Sequence, residues 1–122
     1  MDIRIKATDY QLTPEVQSYL DGRLDSLGKL LAHDAGVARI EVELGRDAGR
    51  PRHGANIWFA EMRIIVPGLE HVYARNNSES VNGAIDDVKE EVERQLRQGR
   101  KVHMRFLRKS GRILKGLMRF GE

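Results

Sequence analysis

The chain opens on an alternation. Ile3, Ile5 and Ala7 are separated by Asp2, Arg4 and Lys6, the period of a strand with one buried face. Thr13-Pro14-Glu15 then supplies a capping hydroxyl, a proline suited to the first helical position and an acid that complements the helix dipole, so a helix is expected to start there. Val16, Leu20, Leu24, Leu27 and Leu31 follow at helical spacing and leave Gln17, Asp21 and Asp25 outside. Gly22 and Gly28 each weaken such a helix by about 1 kcal/mol relative to alanine. Beyond Gly36, Ile40, Val42 and Leu44 alternate with Arg39, Glu41 and Glu43, a second strand with one solvated face. A third runs from Ala55 to Val66, with Trp58, Ala60, Met62, Ile64 and Val66 on one side and Glu61 and Arg63 on the other. Pro67-Gly68 is a turn signal, and residues Val72 to Arg75 read as the returning strand. Asn77-Ser78-Glu79-Ser80 offers capping side chains for a second helix, whose stripe is Val81, Ile85, Val88, Val92 and Leu96. On that helix Glu90 to Arg94 and Glu93 to Arg97 are acid-first pairs four residues apart, the favoured order.

The order β-α-β-β-β-α predicts an α+β domain of two layers, a four-stranded sheet with both helices on one face. A chain of 122 residues holds one such domain. Gly99 is the one plausible joint, which divides the chain into a folded domain over 1–98 and an extension over 99–122.

Charge sharpens that division. Residues 1–96 carry 12 Lys+Arg against 17 Asp+Glu, a balance of −5, whereas 97–122 carry 9 against 1, a balance of +8, and the two give the net +3. Such asymmetry marks a basic arm for nucleic acid or an anionic membrane. The extension is also rich in large apolar residues. On a helix Phe106/Leu107, Ile113/Leu114 and Leu117/Met118 would share one face, and Arg105, Arg108, Arg112, Lys115 and Arg119 the opposite one. Three readings stand: an arm laid on RNA phosphates, a membrane-surface helix, or an extension packed on the domain.

Chemistry of other kinds finds little to work with. The absence of cysteine excludes disulfides, thiolate nucleophiles and Cys-based zinc sites. His33, His53, His71 and His103 are scattered, without metal-ligand spacing. The carboxylates Asp86-Asp87 and Glu90-Glu91 read as a solvated helix face, and the glycine-rich stretch from 45 to 54 lacks the Lys-Ser/Thr ending of a phosphate loop. No catalytic residue, cofactor or metal is expected. No stretch approaches the length of an apolar membrane span, and nothing at the N-terminus reads as an export signal.

Two segments resemble one family. The first is Ile3-Arg4-Ile5 through Leu12-Thr13-Pro14-Glu15-Val16 to Gly22-Arg23-Leu24-Asp25-Ser26-Leu27-Gly28-Lys29; the second runs from Glu79 through Ala84-Ile85-Asp86 to Val92-Glu93-Arg94-Gln95-Leu96. Together with the intervening meander they are similar to the ribosome hibernation promoting factors, a group that includes the ribosome-associated inhibitor and the sigma modulation proteins. The resemblance covers residues 1 to 100 or so and implies a fold similar to double-stranded-RNA-binding domains. It implies a cytoplasmic protein, raised under stress, that lodges in the small ribosomal subunit where mRNA and tRNA anticodon ends pass and inhibits translation by blocking them. The partners implied are small-subunit rRNA and neighbouring ribosomal proteins, with no small-molecule substrate, no membrane and a free chain that is monomeric. The matching cations are Arg23 and Lys29 on the first helix and Arg94 on the second, while Arg97, Arg100 and Lys101 fall where the family is basic. Arg105, Arg108, Lys109, Arg112 and Lys115 of the extension complete the expected RNA-binding set. The chain departs from the family at Ser80-Val81-Asn82, which lacks a customary aromatic, and at Ser26 and Glu91, where lysine is common in relatives. The extension lacks the alternation of the β domain that pairs ribosomes in longer relatives.

Overall fold

A computed structural model describes residues 1–47 and 56–99 of the chain. Its elements are β1 (Asp2–Thr8), α1 (Pro14–Leu31), a 3₁₀ turn (Ala32–Val37), β2 (Arg39–Arg46), β3 (Trp58–Ile65) and β4 (Val72–Ser78), followed by α2 over 81–99. The order is the one the hydrophobic pattern predicts.

Both helices begin on side-chain caps. The Thr13 hydroxyl accepts from the Val16 amide at 3.2 Å, with Pro14 in the first helical position. The Ser80 hydroxyl accepts from the Gly83 amide at 3.0 Å. Asn77 and Ser78 therefore belong to β4, which runs three residues further than the sequence pattern suggests. The 3₁₀ turn after α1 has no counterpart in the sequence pattern. It carries no buried residue of its own and so leaves no periodic signal.

The sheet order is β1-β2-β3-β4. β1 pairs parallel with β2, so α1 is the crossover between them, whereas β3 and β4 follow as antiparallel neighbours. Ile40, Val42 and Leu44 of β2, Ala60, Met62 and Ile64 of β3, and Val72 and Ala74 of β4 form one core with Leu20, Leu24, Leu27 and Leu31 of α1 and with Val81, Ala84, Ile85, Val88, Val92 and Leu96 of α2. Both helices thus lie on one face, the two-layer α+β arrangement. Trp58 is half-buried at the end of this face, edge-on to Tyr10 with ring centroids 5.5 Å apart.

One expectation needs correction. β1 does not have a buried face: its pattern is exposed throughout except for partial cover of Ile5 and Thr8, and Ile3 is 39% exposed. The register places Ile3, Ile5 and Ala7 beside Ile40, Val42 and Leu44, so they do face the helical side. β1 is an edge strand, and the helices cover the centre of the sheet more fully than this margin.

Candidate nucleic-acid interface

The sequence places four candidate cations on the described helices, and three of them are held by the protein's own carboxylates. Arg23 leaves α1 toward α2. Its Nη2 donates to the Tyr19 hydroxyl at 2.8 Å, its guanidinium lies 4.7 Å from the Tyr19 ring centroid, and its Nε is 3.0 Å from Asp86 Oδ1. That last contact is Coulombic, since the Nε–H makes no aligned hydrogen bond. The Tyr19 hydroxyl donates in turn to Asp86, 2.6 Å from both carboxylate oxygens. The hydrogen bond to Tyr19, with the Asp86 charge behind it, raises the Arg23 pKa above its ordinary value. Helical spacing brings Tyr19 and Arg23 together; Asp86 is 67 residues from Tyr19, and no local pattern in the sequence reveals it.

Arg94 is clamped within α2. Its Nη2 and Nε donate to the two Glu91 carboxylate oxygens at 2.7 and 2.9 Å, and Gln95 donates to Glu91 Oε1 at 3.0 Å. The hydrogen bonds from Arg94, then from Gln95, lower the Glu91 pKa from 4.5 to about 2. The partner expected from the sequence was Glu90. The structure instead pairs Arg94 with Glu91 three residues back, in the bidentate geometry that a planar guanidinium favours. The other expected pair is present, with Arg97 Nη2 3.4 Å from Glu93 Oε2, and Lys89 also bridges to Glu93. Lys29 is exposed in the last turn of α1, the end that suits a cation, and is paired with no described residue. Arg100, Lys101, Arg105, Arg108, Lys109, Arg112 and Lys115 lie outside the described residues.

The electrostatic character of the helical layer follows. Over α1 and residues 81–99 there are eight Asp+Glu against five Lys+Arg. An open groove of about 670 Å³ between β4 and α2 matches Arg75, Arg94 and Arg97 against Asp87, Glu90 and Glu91. Neither surface is a ready phosphate site. Gln95, given no role by the sequence, links Glu91 of this groove to the sheet edge: it also donates to the Tyr73 carbonyl at 2.8 Å and accepts from the Tyr73 amide at 3.2 Å. On the outer sheet face Arg63 stacks 5.4 Å from the exposed Tyr73 ring and Arg75 4.1 Å from the Phe59 ring. Among the described residues no cluster of His, Asp or Glu could hold a metal ion, and no helix is long and apolar enough to cross a membrane.

This fold, with its helices carrying paired cations over a four-stranded sheet, falls in a known class. The family model for sigma 54 modulation protein / S30EA ribosomal protein matches residues 3–102, and the chain belongs to that family of ribosome-associated modulation factors, which is not a known class of enzyme. Similar solved structures include the Protein Y N-terminal domain of Thermus thermophilus, at 21% identity and a TM-score of 0.62, covering 80% of this chain and 98% of that one. A ribosomal subunit interface protein from Coxiella burnetii is similar at 13% identity and a TM-score of 0.63, covering 80% and 96%. At these identities the likeness is one of fold. No curated protein matches the chain.

Proposed function

We propose that the protein is a cytoplasmic ribosome hibernation factor that binds small-subunit rRNA in the decoding cleft and blocks mRNA and tRNA sterically. The observation that carries the reading is the family match across residues 3–102, which takes in all but the first two described residues. Occupying a cleft needs shape and affinity but no turnover. The division of charge refines the reading. Arg23, Arg94 and Arg97 are committed to Asp86, Glu91 and Glu93, so a phosphate must compete with a carboxylate for each. Residues 100–122 hold eight Lys+Arg against one acid. In this reading the domain supplies shape and position, and Arg100, Lys101, Arg105, Arg108, Lys109, Arg112 and Lys115 supply most of the electrostatic grip on rRNA. Arginine suits that task through its bidentate fork and its stacking on unpaired bases.

Cosedimentation with purified small subunits, run with and without bound tRNA and mRNA, tests the proposal. Saturable binding that tRNA and mRNA displace is expected. Binding only to anionic liposomes would overturn it in favour of a membrane-surface adaptor working through the same basic extension.

A further inference from the structure

The two edges of the sheet are finished differently. On β4, the outward amide and carbonyl of Tyr73 are both taken by Gln95. No described residue covers β1 in this way. The Asp2 amide donates to the Ala38 carbonyl at 2.9 Å, at the head of the parallel ladder that continues to Thr8 and Gly45. In a parallel ladder every second residue turns both backbone groups toward the same neighbour. Those of Ile3, Ile5 and Ala7 therefore turn to the open side, where no described residue bonds them. Beside this row the apolar surface continues outward: Met1 and Ile3 are each 39% exposed, and Val37, one residue before Ala38, is 62% exposed. Natural edges are commonly blunted by charged side chains, an inward-pointing charge, a proline or a bulge, and of these β1 has only the first, in Asp2, Arg4 and Lys6 on its outer side. Between Asp2 and Thr8 the helix-facing positions are Ile3, Ile5 and Ala7, and there is no proline.

We propose that β1 is a self-pairing edge, at which two copies of this chain join antiparallel with Ile3 opposite Ile3 and extend the sheet across both molecules. The charges select that register. With Ile3 on the two-fold axis, Asp2 of each copy faces Arg4 of the other on the outer side, while Met1 faces Ile5 on the helical side. The Asp2 and Arg4 side chains are 59% and 60% exposed and only 3.6 Å apart within one chain, so they are placed to exchange partners. Slipping the pairing by one residue in each strand keeps an attraction, Asp2 against Lys6, but adds Arg4 against Arg4, and a further step sets Arg4 against Lys6 with Asp2 left opposite Thr8; of the three, only the Ile3 register has no like charges directly opposite. The paired segment is short, well below the roughly 1,000 Å² of a stable interface, so association is weak and concentration-dependent. This departs from the sequence expectation of a monomeric free chain, and it does not depend on ribosome binding.

Sedimentation velocity of the full chain over a range of concentrations, with hydrogen exchange read at the Ile3 and Ile5 amides, tests the proposal. A dimer is expected, with protection at Ile3 and Ile5 rising in step with its population. Ile3→Lys puts a charge on the apolar side of the pair and abolishes association. Asp2→Arg or Arg4→Asp alone turns two attractive pairs repulsive and weakens it roughly tenfold, and the double exchange restores it. A chain that stays monomeric overturns the proposal. So does a dimer indifferent to these substitutions, or protection of Ile3 and Ile5 that is independent of concentration, which would mean that the chain's own residues 100–122 cover the edge.

Discussion

Arg23 of α1 and Asp86 of α2 meet at 3.0 Å, with the Tyr19 hydroxyl bonded to both, and so tie the two helices together through a cation that the proposed function needs for RNA. The two side chains remain 39% and 47% exposed, which keeps the pair near the small contribution of surface ion pairs. Its larger consequence concerns binding. Asp86→Asn removes the carboxylate with which an incoming phosphate competes, so small-subunit affinity should rise a few-fold while Arg23→Ala lowers it. Filter binding of both variants checks the opposite signs.

Glu91 should titrate far below an ordinary glutamate. Its folded pKa is depressed to about 2 by Arg94 and Gln95, so the pair's contribution to stability is complete above the ordinary glutamate range and fades as pH falls from there toward 2. NMR titration of the Glu91 side chain should give a midpoint near 2 in the parent protein. In Arg94→Met that midpoint should move up toward the ordinary range.

Gln95→Ala should loosen the β4 edge without unfolding the domain. It removes both side-chain bonds to the Tyr73 backbone, at a cost of about 1 kcal/mol for solvent-accessible hydrogen bonds. Hydrogen exchange at the Tyr73 amide should quicken, while exchange in the core strand β3 stays slow.

Gly45 is required by the close approach of β1. A Cβ there would overlap the Thr8 carbonyl and press on the Phe59 ring, and backbone cannot swing aside as a side chain does. Gly45→Ala should therefore cost ~3 kcal/mol and lower the melting temperature by roughly 10–20 °C, as thermal denaturation would record.

What the sequence revealed was whatever a period or a cap encodes. Ile40, Val42 and Leu44 alternate because one face of β2 meets helices and the other meets water, and the Leu20, Leu24, Leu27 and Leu31 stripe reads directly as the buried side of α1. Thr13-Pro14 marked a helix start because capping chemistry is local. What stayed hidden depends on distance or on competition. The alternation in β1 misled because burial requires a covering layer as well as a face, and this strand lies at the margin. The candidate cations could be named from their positions, but their partners could not. Asp86 reaches Arg23 only through helix packing, and Glu91 holds Arg94 with two hydrogen bonds where spacing alone suggested Glu90.

The central claim is that the extension, more than the helices, supplies the electrostatic grip on rRNA. It is tested most directly by the salt dependence of small-subunit binding in the full chain with Arg105, Arg108, Lys109, Arg112 and Lys115 replaced by glutamine. Each phosphate contact contributes a log–log slope of about 0.7–0.9. The account predicts that these five replacements reduce the slope by about 4, against a change of about 1 or less for Arg23→Gln. An unchanged slope in the five-fold variant, with the loss falling instead on Arg23→Gln, would contradict it.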